Sequence, residues 1–73
     1  MNNNNNMTIQ MAATRAIATY PSVVAMAADL GVHRMTIYHW KKHGVPIKHC
    51  PKVEKLTGVP REQLQPKFFG MVA

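Results

Sequence analysis

From Thr8 onward the apolar positions Ile9, Ala13, Ala16, Ile17 and Tyr20 recur at steps of four, three, one and three, which puts them on one face of a helix. Thr8 stands where an N-cap belongs, and Pro21 ends the helix because it lacks an amide hydrogen and disfavours helical geometry at Tyr20. Ser22 is the cap of a second helix that runs to about Leu30. A third is expected from His33 to about His43, stopped by Gly44, with Val45-Pro46 leading away. Beyond it Ile47, Cys50, Val53 and Leu56 repeat every three residues and suit a short helix ending at Gly58, with Pro51 in its first turn. VPREQLQP reads as one more short turn of helix that opens at Pro60 and is anchored by Leu64. Nothing alternates as a strand does, so the expected fold is all-α.

The densest pattern is VVAMAADLGVHRMTIYHW, Val23 to Trp40. A helix that stops at Gly31 has to turn through about 90–120° into the next one, and glycine takes φ > 0 there without a Cβ penalty. Ala27 precedes the glycine by four residues, where the two axes come closest and only a small side chain fits. Leu30, Val32, Ile37 and Trp40 supply apolar groups on either side of the corner and are expected to be buried. These are the offsets of a helix-turn-helix.

Charge sharpens that reading. The 73 residues carry nine Lys and Arg against three acids, a net +6. Arg34, Lys41, Lys42, Lys48, Lys52 and Lys55 lie between His33 and Lys55 with only Glu54 against them, and all four histidines share that stretch. From Met7 to Val32 there are only Arg15 and Asp29. A basic segment that begins at the second half of the motif points to a polyanion such as nucleic acid.

Other classes recede. No apolar run approaches the roughly 20 residues of a membrane span, and no signal segment is recognisable. One cysteine, Cys50, cannot form an internal disulfide, so a cytoplasmic protein is expected. Residues 1–7, rich in asparagine, are expected to be disordered, residues 8–66 to form the domain, and residues 67–73 to form an apolar tail. Phe68 and Phe69 in that tail are candidates for a homodimer contact, since a domain this small buries only about 60% of its unfolded surface. No catalytic group is expected: Asp29, Glu54 and Glu62 are not paired, the glycines are scattered, and nothing near Cys50 would orient a base for it. His39 and His43 are spaced i, i+4, with His49 and Cys50 nearby. Those last two lie beyond a Gly-Val-Pro turn and Cys50 fits the apolar repeat, so no metal or cofactor is expected.

Two stretches, AADLGVHRMTIYHWKKHGVP and HCPKVEKLTGVPREQLQP, resemble the Cro and repressor type of phage helix-turn-helix regulators, in particular the small YdaS-like group described as antitoxin or Cro-like. The likeness runs from about Ser22 to Phe68, and the TGVPREQL run is its more specific part. It implies a compact four- to five-helix, lambda-repressor-like domain whose third helix enters the major groove of double-stranded DNA. By match of position Arg34, Met35, Tyr38 and His39 face the bases. Arg34 is the best reader, since a guanidinium can donate twice to O6 and N7 of a guanine. Met35 suits a thymine methyl, and Tyr38 and His39 suit a base or a phosphate. Lys41, Lys42, Ser22 and Thr36 are the implied phosphate contacts. The family usually has Ser or Thr where this chain has His33. A histidine caps poorly, so either the reading helix frays or His33 touches DNA phosphate. The implied role is a Cro-like repressor acting as a homodimer on a palindromic operator, the alternative being an antitoxin-like protein whose main partner is another protein.

Overall fold

The computed structural model describes residues 8–70. Helix α1, Ile9–Ala18, opens on Thr8, whose Oγ1 accepts the Met11 amide at 3.0 Å, and ends ahead of Pro21. Helix α2, Val23–Leu30, opens on Ser22, whose Oγ accepts the Ala25 amide at 3.1 Å. It closes at Gly31, φ 71° and ψ 30°, and the Val32 amide reaches back to the Ala27 carbonyl at 3.0 Å. That closing turn needs a left-handed residue, which is why a glycine stands there. The remaining elements are α3, Arg34–His43, a 3-10 turn at Ile47–His49, α4, Cys50–Thr57, α5, Arg61–Leu64, and α6, Pro66–Phe69. Among the described residues there is no strand, and the fold is an all-helical helix-turn-helix domain. The single turn α6 begins at Pro66, where the sequence pattern shows only an apolar tail. The expectations for residues 1–7 and for the tail beyond Gly70 lie outside the described residues.

Helix α3 packs against both α1 and α2, and α1 continues onto α4 and α5. The contact is close because α1 presents Ala12, Ala13 and Ala16, all fully buried, so no bulky side chain holds the axes apart. Ile9, Ile17 and Tyr20 flank that alanine face and are only half-buried. Leu30, Ile37 and Trp40 are buried as the corner demands, and Met26, Ala27, Val45, Val59 and Leu64 join them. Val32 is half-buried, because it sits on the corner itself. The three-residue repeat after Pro46 holds only at its centre. Cys50 and Val53 are fully buried, whereas Ile47 and Leu56 are 42% and 39% exposed. A step of three residues drifts by about 60° per repeat on an α-helix, so Leu56 has turned about 120° from Cys50, and Ile47 lies on the 3-10 turn ahead of α4.

Two contacts pin the far end of the core. Gly44 has φ 93° and ψ 164°, and a Cβ there would lie 2.7 Å from Ile9 Cδ1, so α1 begins against the end of α3 only because residue 44 has no side chain. The carbonyl of buried Val45 accepts Gln65 Nε2 at 2.7 Å, tying the segment after α3 to the end of α5. Finally, Glu54 Oε1 accepts both the Arg61 amide at 3.2 Å and Arg61 Nε at 2.6 Å. The Arg61 guanidinium lies 5.6 Å from the centroid of the Phe69 ring, so α4, α5 and α6 are linked through one side chain.

Candidate nucleic-acid interface

Helix α3 has two faces. Ile37 and Trp40 are sealed in the core, while Arg34, Met35, Tyr38 and His39 are exposed, Met35 by 60% and Tyr38 by 48%. Lys41 and Lys42 are exposed in the last turn, and Thr36 is half-buried at the edge between the faces. Ser22 lies at the start of α2 with its oxygen engaged as a cap. The structure thus brings the four base-facing candidates onto one exposed stripe, with the lysines one turn further along.

At the start of α3 the expectation that a histidine caps poorly is corrected. His33 takes an extended backbone, φ −75° and ψ 148°, and its Nδ1 accepts the Met35 amide at 3.1 Å. A ring nitrogen that accepts carries no proton, so in the neutral imidazole the proton is on Nε2. The cap therefore leaves Nε2–H as a donor on the exposed side of the ring, at the N-terminus of the helix. The sequence does not show this, because histidine is a rare cap and only the ring's orientation reveals it. Beside it a shallow notch of about 280 Å³ is lined by Val24, Ala27, Ala28, Val32, His33 and Arg34. Val24, 59% exposed, and Ala28 are site neighbours that the sequence reading missed. The available signal was an apolar residue in the first turn of α2 outside its buried face.

The other histidines separate. His39 and His43 lie together, ring centroids 4.4 Å apart and planes tilted by 35°. His49 instead packs on Trp40 at 5.0 Å, and burial, with Lys48 and Lys52 nearby, holds its imidazole below the usual histidine range. The Cys50 thiol lies 3.3 Å from the Pro46 carbonyl oxygen and 3.6 Å from that of Val45. Burial pushes it up to about 11, so it stays a protonated, unreactive thiol at neutral pH. Among the described residues no three His, Cys, Asp or Glu side chains converge as metal ligands. In the tail Phe69 turns inward against the core, and Phe68, edge-on to it at 4.8 Å, remains 57% exposed.

The model of the family described as Bacterial toxin YdaS matches residues 13–72. The chain belongs to the YdaS family. It is also similar to the solved structure of the Cro protein from the Xfaso 1 prophage element of Xylella fastidiosa strain Ann-1. The two chains are 37% identical, the match covers 81% of this chain and 95% of that one, and the TM-score is 0.75. No curated protein matches. The family description names a toxin and the neighbour is a Cro protein, so the Cro-like, YdaS-like resemblance holds while neither description mentions an antitoxin. Among the described residues no helix is long and apolar enough to cross a membrane.

Proposed function

We propose that this member of the YdaS family is a sequence-specific DNA-binding transcriptional regulator, a Cro-like repressor that occupies a palindromic operator as a homodimer. The observation that carries the reading is the division of α3. Its core face is held rigidly by Ile37 and Trp40, and its other face offers Arg34, Met35, Tyr38 and His39 to the major groove. Arg34 reads a guanine, Met35 packs on a thymine methyl, and Tyr38 and His39 read bases. Ser22, His33, Thr36, Lys41 and Lys42 hold phosphates. Repression follows from occupying promoter DNA in the cytoplasm, with no chemistry and no cofactor.

Selection from a random duplex library, followed by anisotropy on the winning site, tests this. The expected result is a palindromic consensus that Arg34→Ala relaxes at one base pair per half-site. If each subunit neutralises about four phosphates, log affinity falls against log salt with a slope near about −7 for the dimer. Absence of a consensus, with weak and purely salt-dependent binding, would reject the reading. A second reading, a protein whose main partner is another protein, is favoured by the toxin in the family description and by exposed Phe68. It predicts that binding to DNA is insensitive to Arg34.

A further inference from the structure

We infer that His39 and His43 form a two-histidine chelating site for a borderline divalent transition metal, on the same helix that reads DNA. The pair is spaced i, i+4 on α3, both side chains are exposed, and their ring centroids are 4.4 Å apart. The distance is the telling part. Metal–nitrogen bonds of about 2.0–2.1 Å put each ring centroid about 3.2 Å from the ion, so the centroids of two bound imidazoles lie about 4.5 Å apart at an angle of about 90° and about 5.2 Å apart at the tetrahedral angle of zinc. The rings, 4.4 Å apart and tilted by 35°, stand just short of that range, and side-chain rotation is what converges one nitrogen of each on a shared ion.

Two further features suit a cation. The pair occupies the last turns of α3, which ends at His43, and the unsatisfied carbonyls at a helix C-terminus attract positive charge. Imidazole ligands select zinc, nickel or copper over magnesium or calcium. His49 is held against Trp40 and the Cys50 thiol is buried, so the site has two protein ligands and leaves the ion's other positions to water. Lys42, in the same last turn, is the nearest cation along the chain and weakens the site relative to an isolated pair.

An ion held here takes His39 out of base reading and stands off the surface that enters the groove. Metal occupancy therefore weakens operator binding, a consequence that rests on the reading of α3 as a DNA-reading helix. The site itself is tested without DNA, so the two failures are distinguishable. Zinc is titrated into the full chain by calorimetry, and the histidine ring resonances are followed by NMR. One zinc per chain is expected, with the His39 and His43 signals moving together and that of His49 unmoved. His39→Ala or His43→Ala weakens binding at least about tenfold through loss of the chelate. Circular dichroism establishes that these surface variants keep their helices. Absence of saturable binding, or equal binding by the His39→Ala/His43→Ala double variant, overturns the site. On the selected duplex, zinc is expected to weaken binding of the wild type and not of the double variant. Unchanged wild-type affinity overturns the regulatory consequence.

Discussion

His33 Nδ1 accepts the amide hydrogen of Met35 at 3.1 Å, which makes a histidine the cap of the helix that carries the base-facing side chains. One ring thus does two jobs, since the nitrogen that caps determines that the other nitrogen donates. His33→Ala is expected to cost about 1 kcal/mol of stability, while His33→Ser restores a cap and stays within about 0.5 kcal/mol of the wild type. Both variants lose the Nε2–H donor and bind DNA more weakly by about 1 kcal/mol. A neutral donor releases no counterion, so the salt slope of His33→Ser equals that of the wild type, whereas Lys42→Ala lowers it by about 1. Thermal melts with anisotropy at several salt concentrations separate the two effects, and a changed slope for His33→Ser contradicts the assignment.

Gly44 gives a test of how α3 is held. Adding a methyl group there forces a backbone conformation that only glycine tolerates and drives the new Cβ into Ile9, 2.7 Å from its Cδ1. Gly44→Ala is expected to destabilise by about 3 kcal/mol, combining backbone strain with overpacking. Ile9→Ala removes the two closest atoms, keeps its Cβ at 3.1 Å and leaves the strain, so a double-mutant cycle in urea should show the pair to be coupled. Additive effects would show that Ile9 does not crowd residue 44.

The Glu54–Arg61 pair predicts a pH dependence. Hydrogen bonds from the Arg61 side chain, and then from its backbone amide, hold the Glu54 carboxyl below its usual range. A carboxylate whose folded value is depressed favours the folded state above its unfolded value, about 4.3, and loses that contribution as pH falls through the folded value. Glu54→Gln should therefore melt below the wild type near neutral pH, with the gap closing on acidification. A gap that does not narrow as pH falls through the folded value would contradict the ion pair as its cause.

Phe68 and Phe69 should behave oppositely despite being neighbours. Phe69 packs on the core and beneath Arg61, so Phe69→Ser lowers the melting temperature. Phe68 is 57% exposed, and Phe68→Ser should leave the fold intact while reducing the sedimentation mass from dimer to monomer. An unchanged mass would remove Phe68 from the dimer contact.

Most of the helical framework was legible because its signals act over a few residues. Thr8 and Ser22 each cap an amide three residues on, and Gly31 closes its helix through bonds to Ala27 and Ala28. The division of α3 into Ile37 and Trp40 on one side and Arg34, Met35, Tyr38 and His39 on the other follows from helical periodicity, whereas the choice of those four as readers came from the family resemblance.

Tertiary structure decided what depends on the approach of distant elements. Cys50 and Val53 are buried while Leu56 is not, since α4 offers only one arc to α1 and the rest of the core. Glu54 finds Arg61 seven residues away, and Gln65 finds Val45 twenty away. Neither pairing has a local signature, because charge and amide groups are legible in a sequence but their distance is not. The ring of His33 differs, since it caps an amide only two residues on and went unread because histidine is a rare cap. The sequence by itself determined where α1 to α5 begin, end and divide into faces, because those are near-neighbour properties of the backbone. Packing determined which apolar groups leave water and which polar groups meet, because those depend on where the helices come to rest.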